Sequence, residues 1–212
     1  MKLYVYDHCP FCTKARMIFG LKSLPLELSF LLEDDTATPT ELIGKKVTPI
    51  LQKAEGSYMA ESMDIVHYLD GLQGDVLVTP TESDSPIQVW HKAAWRTILN
   101  LSIPRLGSAD LPEFATAAAR AAFQLRQTKN FGDFDELLSH SAEWQQELDV
   151  QLRELDALLA GREQIDADDF TLYPSLRMLS IVKGVQYPVN VTRYMERMAV
   201  ATAVPLYTEQ AR

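Results

Sequence analysis

Both cysteines of this chain fall within four residues, Cys9-Pro10-Phe11-Cys12. Two thiols three positions apart can close a disulfide when their segment opens a helix, so the flanks decide what the pair can do. Before it, Lys2-Leu3-Tyr4-Val5-Tyr6 is rich in apolar strand formers and predicts a short buried strand. After it, Thr13 to Leu21 sets Ala15, Ile18 and Phe19 at helical spacing and ends near Gly20. The motif therefore occupies a strand-to-helix turn, with Cys9 at the helix N-terminus and Pro10 at a first-turn position that suits it.

That placement supplies chemistry. The thiolate is the reactive form of cysteine, and an ordinary thiol of pKa ~8.5 is mostly protonated at neutral pH. Unpaired N–H groups and the positive end of the helix dipole favour the anion on Cys9, and Lys14 and Arg16 are expected to add to that field. Cys12, one turn further in, suits a resolving role, attacking a mixed disulfide on Cys9. Two other uses stand beside this one. A structural disulfide enclosing two residues would remove little chain entropy, and a metal site would need two more ligands, with His8 the sole nearby candidate. Strand, Cys-x-x-Cys and helix in this order mark a thioredoxin-like redox site.

Composition sets the outer limits. At 212 residues, 47% hydrophobic and 23% charged, the chain has room for one large domain or two small ones. A formal net charge of −9, spread as seven basic and ten acidic residues up to Leu72 and thirteen and nineteen after it, argues against nucleic-acid or anionic-membrane partners. No apolar run approaches the ~20 residues of a membrane span. The N-terminus leaves no room for a signal peptide, and two cysteines do not make a secreted scaffold, so a cytoplasmic, thiol-reducing setting is expected.

Further along, Leu24 to Leu31 alternates and predicts a second strand, parallel to the first across the helical crossover. Thr38-Pro39-Thr40-Glu41-Leu42-Ile43 predicts a short helix with Thr38 as cap, Pro39 at its first position and Gly44 at its end. Val47-Thr48-Pro49-Ile50-Leu51 predicts a strand opened by a proline, and on its own Thr48-Pro49 is an ordinary trans bond. Gly56 to Ala60 predicts a strand in a hairpin with Ile50-Leu51-Gln52. A helix then follows with Ser62 as N-cap, Ile65, Val66 and Leu69 inward, Asp64, His67 and Asp70 outward, and Gly71 as its stop. Its N-terminus is also a ready carboxylate site.

Together these residues resemble the glutaredoxins: an early strand ending in Cys9-Pro10-Phe11-Cys12, Val47-Thr48-Pro49 before a strand, and Glu61-Ser62 opening a helix, all within 72 residues. The resemblance implies a cis bond before Pro49, a Thr48 backbone that hydrogen-bonds the cysteinyl part of glutathione, and a Glu61-Ser62 pair that holds its γ-glutamyl carboxylate and amine. Cys9, Pro10 and Phe11 complete the implied glutathione contacts. The chain is long for a glutaredoxin and the excess is helical, so it looks like the large bacterial glutaredoxin 2 type. Tyr4 to Pro10 and Glu61 to Tyr68 are similar to that type, and the resemblance weakens beyond residue 72.

The implied architecture is a thioredoxin-like α/β domain over residues 1–72, a linker over 73–85, and an all-α, glutathione-transferase-like domain over 86–212. Ile87, Trp90, Ala94, Ile98 and Leu101 mark a helix running toward Ile103-Pro104. Pro112 is expected to open a second, with Phe114, Ala118, Ala121 and Leu125 along one side, and a third spans roughly Phe134 to Leu159. These stripes, Leu137, Trp144, Leu148, Leu152, Leu155 and Leu159 among them, are assigned to bundle core. His67, His91 and His140 have no arrangement that suggests catalysis or metal. Asp166 and Asp169 form a capping arrangement flanked by Ile165 and Phe170 at the staple positions, Pro174 suggests a kink in the helix that follows, and Tyr187-Pro188 starts the last clear helix.

The activity implied is glutathione-dependent reduction of glutathione mixed disulfides, and of protein disulfides through Cys12. The implied partners are glutathione, glutathionylated or disulfide-bonded proteins and, indirectly, glutathione reductase, with no metal, nucleic acid or membrane and a monomer as the working unit. Tyr6, His8 and Phe11 are expected at the rim of the site. Two alternatives remain: a cysteine-type glutathione transferase, against which Cys12 argues, and a transferase-like module whose cysteine pair is a redox switch without turnover.

Overall fold

The computed structural model describes residues 1–212. Strand β1 (Lys2–Val5) leads through the cysteine turn into α1 (Pro10–Leu21), and β2 (Glu27–Phe30) returns parallel to β1. After α2 (Ala37–Ile43), β3 (Ile50–Gln52) pairs antiparallel with the other side of β1, and β4 (Tyr58–Ala60) closes a hairpin on it with Ile50 opposite Ala60. The sheet order is β2-β1-β3-β4, and α3 (Ser62–Asp70) packs beside α1. Leu3 and Val5 on β1, Ala15, Ile18 and Phe19 on α1, and Ile65, Val66 and Leu69 on α3 are buried, as their spacing predicts.

Several local expectations are corrected. Helix α2 begins at Ala37, two residues earlier than expected, where the Asp35 carboxylate accepts the Thr38 N–H at 3.0 Å. Pro39 is then the third helical residue, where no intrahelical N–H bond is lost. Glu61, not Ser62, occupies the N-cap position of α3, Ser62 is its first helical residue, and no side chain caps it. Asp70 points inward: its carboxylate pairs with Lys22 at 3.2 Å and accepts the N–H groups of Leu77 and Val78, fastening the segment after α3 to α1 and α3.

The remainder is helical: α4 (Pro86–Ser108), a single 3₁₀ turn at Pro112–Phe114, α5 (Ala117–Phe131), α6 (Phe134–Ser139), α7 (Ser141–Leu159), α8 (Asp169–Leu179) and α9 (Val189–Thr202). Helix α4 passes through Pro104, and α8 through Pro174. The expected helix from Phe134 to Leu159 is two, broken at His140, whose Nδ1 lies 2.9 Å from the Glu136 carbonyl and competes with the helical ladder there. The expected helix from Pro112 is also two pieces. Thr116 caps α5, which buries Ala119 and Phe123 while Ala118, Ala121 and Leu125 face solvent. An alanine-rich segment carries little contrast between its faces, and the buried Phe123 marks the inward one. The α4 and α7 stripes are core as expected, with Trp144 partly buried.

One apolar cluster runs from Leu3 and Ile18 through Trp90, Leu101 and Leu155 to Tyr194, so α1 is packed between the sheet and the helices α8 and α9. That placement matters for function: the helix bearing both cysteines touches both halves of the molecule.

Candidate active site

Strand β1 delivers Tyr6-Asp7-His8 into the turn, and α1 starts at Pro10, which leaves Cys9 as its cap. Its backbone is extended (φ −75°, ψ 121°) and its sulfur accepts the Cys12 N–H at 3.4 Å. Cys9 is half-buried, Cys12 fully buried, and both are free thiols. The Cys9 thiol is brought down to about 7, chiefly by the hydrogen bond from the Cys12 side chain, which together with the charge of His8 and the N–H groups of Cys12 and Phe11 outweighs burial. Cys12 goes the other way. Burial, then the hydrogen bond and charge of Cys9, push its thiol well above the ordinary range. Environment thus separates two identical groups into one thiolate and one retained thiol.

The cationic neighbours differ from those the motif suggests. Arg16 is buried and ion-paired with Asp7, a carboxylate that Arg177 also holds. Lys14 feels both burial, which lowers its pKa, and the attraction of Cys9. His8 is a neighbour of a different kind. Its ring is buried, Nδ1 lies 2.6 Å from Glu113 Oε1, and its backbone N–H donates to the same oxygen at 2.8 Å. His8 thus borders the cleft, as expected, but as a buried partner of a carboxylate in the helical half.

A cleft of about 570 Å³ opens at Cys9. Tyr6, Cys9, Pro10, Phe11 and Thr48 face Trp95 and Leu99 of α4 and Phe131 of α5, with Lys46 and Arg126 supplying positive charge. Phe11 is exposed, Tyr6 and His8 buried. The Thr48–Pro49 bond is cis, and neither the N–H nor the C=O of Thr48 bonds to another backbone group. Of the remaining expected contacts, Pro49, Glu61 and Ser62 are not part of this wall. Glu61 is tied to the loop before Thr48 by Lys45 at 3.2 Å, its φ is +70°, and no side chain caps the first turn of α3. The residues present fit glutathione: a cysteine with a lowered thiol pKa on the cleft, a Thr48 backbone unpaired with other backbone groups, and a helix N-terminus with unpaired N–H groups for a carboxylate. No group of three or more His, Cys, Asp or Glu side chains is placed to hold a metal ion.

Sequence reasoning missed Asp7, Glu113 and Arg177. Buried Arg177 of α8 bonds the Asp7 carboxylate and backbone, the Pro205 carbonyl and Tyr207. Asp7 sits beside the motif and carries a weak signal by proximity. Glu113 and Arg177 carry none, being 105 and 170 residues from the partners they bond.

A thioredoxin-type sheet with a cis proline and a cysteine-capped helix, joined to an all-helical half, defines the class: a glutathione-transferase-like architecture. Within it, residues 86–211 match the family described as "Glutaredoxin 2, C terminal domain", and residues 3–77 match "Glutathione S-transferase, N-terminal domain". Glutaredoxin 2 of Escherichia coli K12 is 43% identical over 215 residues, covering 100% of both chains. The crystal structure of glutaredoxin 2 from Salmonella typhimurium in complex with glutathione superposes with a TM-score of 0.95 at 44% identity, over 100% of this chain and 98% of that one. A glutathione transferase from Phanerochaete chrysosporium, 14% identical, shares the fold with a TM-score of 0.71 over 94% of this chain and 96% of its own. The chain belongs to the glutaredoxin 2 family and is a glutathione-dependent thiol–disulfide oxidoreductase.

Proposed function

We propose that Cys9 is the attacking thiolate and Cys12 the resolving thiol, and the observation that carries this is their placement. Cys9 caps α1 and opens on the cleft, while Cys12 is fully buried behind it, which favours the anion on the first and the thiol on the second. Cys9 attacks the glutathione sulfur of a mixed disulfide. A bond forms between the two sulfurs, and the substrate leaves as a thiolate that takes a proton from water. A second glutathione thiolate then attacks that glutathione sulfur, releasing Cys9 and oxidised glutathione, which a separate reductase recycles. On a protein disulfide, Cys9 attacks one sulfur and expels the other as a thiolate. Cys12 then loses its proton to water and attacks the Cys9 sulfur, which breaks the mixed disulfide, releases the second substrate thiolate and closes the Cys9–Cys12 bridge. Two glutathiones reopen that bridge and leave as oxidised glutathione. A low thiol pKa serves both halves, since Cys9 is first nucleophile and then leaving group.

For glutathione itself the proposed contacts are Cys9, Pro10, Phe11, Thr48 and Pro49 along the cysteinyl part and Glu61 and Ser62 at the γ-glutamyl end. Thr48 contributes its unpaired backbone, and α3 its open N-terminus. Glutathionylated and disulfide-bonded proteins are the proposed substrates, and a monomer in the cytoplasm the proposed setting, on the family resemblance. No helix is long and apolar enough to cross a membrane. A division into residues 1–72, a linker 73–85 and a helical domain 86–212 is supported by the end of α3 at Asp70 and the start of α4 at Pro86.

The test is glutathione-coupled reduction of a small glutathione mixed disulfide. Cys9→Ser is expected to abolish turnover and Cys12→Ser to retain a substantial fraction. Equal loss in both variants would make the dithiol route obligatory, and full activity of Cys9→Ser would overturn the assignment.

A further inference from the structure

The His8 ring is enclosed by both halves of the molecule. Tyr6 stacks on it at 5.7 Å, Phe114 stacks at 5.4 Å, and Phe123 of α5 meets it edge-on at 4.9 Å. Within this aromatic box the ring makes one side-chain hydrogen bond, from Nδ1 to Glu113, whose own side chain is wholly buried in the 3₁₀ turn after α4. The ring also lines the cleft beside Cys9, its neighbour in the chain.

The surrounding charges decide the state of that ring. Glu33, on the loop after β2, is buried and lies 2.6 Å from Arg126 of α5, which balances it. Lys46 donates to the Glu33 carbonyl at 2.7 Å. Arg120 lies over Phe114, not on a carboxylate of this group. Asp7 is occupied by Arg16 and Arg177. Tyr6 and Cys12 are buried and hold their protons. Among the carboxylates around His8, Glu113 is then the one without a cation, and a buried unpaired charge is costly. His8 can supply the match only as the imidazolium. Burial works against that form, but the hydrogen bond and charge of Glu113 outweigh it and raise the His8 pKa, while His8 in turn holds Glu113 low.

We propose that Glu113, from the helical half of the chain, is a positioning residue for catalysis: it holds His8 as an imidazolium beside Cys9, and that fixed positive charge keeps the attacking sulfur in its thiolate form. This rests on Cys9 being the nucleophile. A nucleophile, an adjacent histidine and a third group that orients it is a recurring arrangement. Here the histidine acts as a charge and accepts no proton, so the thiol proton leaves to water. The helical half thereby contributes to the reaction and not to packing alone.

Alkylation of the reduced protein by iodoacetamide, followed at Cys9 by mass spectrometry across pH, tests this without turnover. Glu113→Gln keeps an oxygen to accept both His8 bonds and removes the charge. The midpoint of the profile, near 7 in the parent protein, is expected to rise by about one unit, which cuts the thiolate fraction at pH 6 roughly tenfold. The plateau at high pH is expected to be as high or higher, because the more basic thiolate is the better nucleophile. An unchanged midpoint in folded Glu113→Gln overturns the proposal. The unaltered protein supplies a second reading that needs no variant: the His8 ring, followed by NMR, is expected to titrate above the ordinary histidine value of ~6.5, and a ring that titrates at or below that value overturns the proposal equally. Failure of the underlying assignment is distinguishable, because Cys9→Ser would then remain active whatever the midpoint.

Discussion

Arg177 of α8 grips Asp7, two residues before Cys9, through contacts of 3.1 and 2.9 Å to its two carboxylate oxygens, and stacks its guanidinium 4.1 Å from the centre of the Tyr207 ring. Arg16 of α1 holds the same carboxylate. Two buried cations on one carboxylate bind the cysteine turn to the helical half.

Asp7→Asn leaves those cations short of their counter-charge, and breaking a buried pair by removing one partner costs about 3–5 kcal/mol. Urea unfolding is expected to show a loss in that range, and a loss under 1 kcal/mol would count against the arrangement. Burial opposes the charge on Asp7, but Arg177 and Arg16 prevail and hold its pKa below the ordinary value. A depressed folded pKa contributes stability above the unfolded value of ~3.9, lost as pH falls through the folded one. The difference in stability between the parent and Asp7→Asn should therefore be full at neutral pH and shrink below about pH 4.

Gly20 is where α1 meets α9. A Cβ placed there would lie 2.0 Å from the Thr202 carbonyl oxygen and 2.2 Å from its carbon. Both obstacles are backbone, so no rotamer change relieves them. Gly20→Ala is expected to destabilise by about 1–3 kcal/mol or more, read as a lowered urea midpoint. A neutral result would mean that the two helices can separate at little cost.

The sheet, α1 and α3 were legible because their signals are local. Cys9 to Cys12, Thr48-Pro49 and Glu61-Ser62 each report on a turn within a few residues, and strands two to four residues apart in pattern define their own faces. What was not legible depends on which surfaces meet. Nothing around Glu113 distinguishes a solvated acid from one buried against His8, and Arg177 follows an apolar stripe as a surface cation would. The rotation of α5 was misread because Ala118, Ala121 and Leu125 look as apolar as Ala119 and Phe123. The capping of α3 was misread because only the backbone at Glu61 shows where the helix starts.

The acids ahead of α8 bond each other as expected, but α8 begins at Asp169 with Asp168 at its N-cap, so Asp166 is not the cap and Asp169 is the first helical residue, not the third. The Asp166 carboxylate accepts the Asp168 N–H at 2.9 Å, the Asp169 carboxylate accepts the Asp166 N–H at 2.9 Å, and Arg162 bonds both acids. Phe170 is fully buried and Ile165 packs on the same core. Asp166→Ala is expected to cost about 0.5–2 kcal/mol, measured by urea unfolding, with Cys9 alkylation unaltered. A change in that alkylation would imply that α8 also adjusts the cysteine turn, through Arg177.

Glu61 holds a φ of +70° with no glycine to make it easy. Its exposed ion pair with Lys45, at 3.2 Å, offsets little of that strain. Glycine would remove strain of about 1 kcal/mol or more and give back about 0.4–1 kcal/mol through a freer unfolded chain. Glu61→Gly should therefore leave the urea midpoint level or slightly raised. If its charge meets the amine of glutathione, the same variant loses a charge-assisted contact worth about 1.5–3 kcal/mol, a rise of roughly ten- to a hundredfold in the KM for glutathione. Cys9 alkylation should stay as it was, since Glu61 does not touch the thiol. Stability held with binding lost would identify a strained backbone kept for its ligand. Stability lost with binding unchanged would make Glu61 a structural residue and leave the γ-glutamyl end to Ser62 and the helix N-terminus.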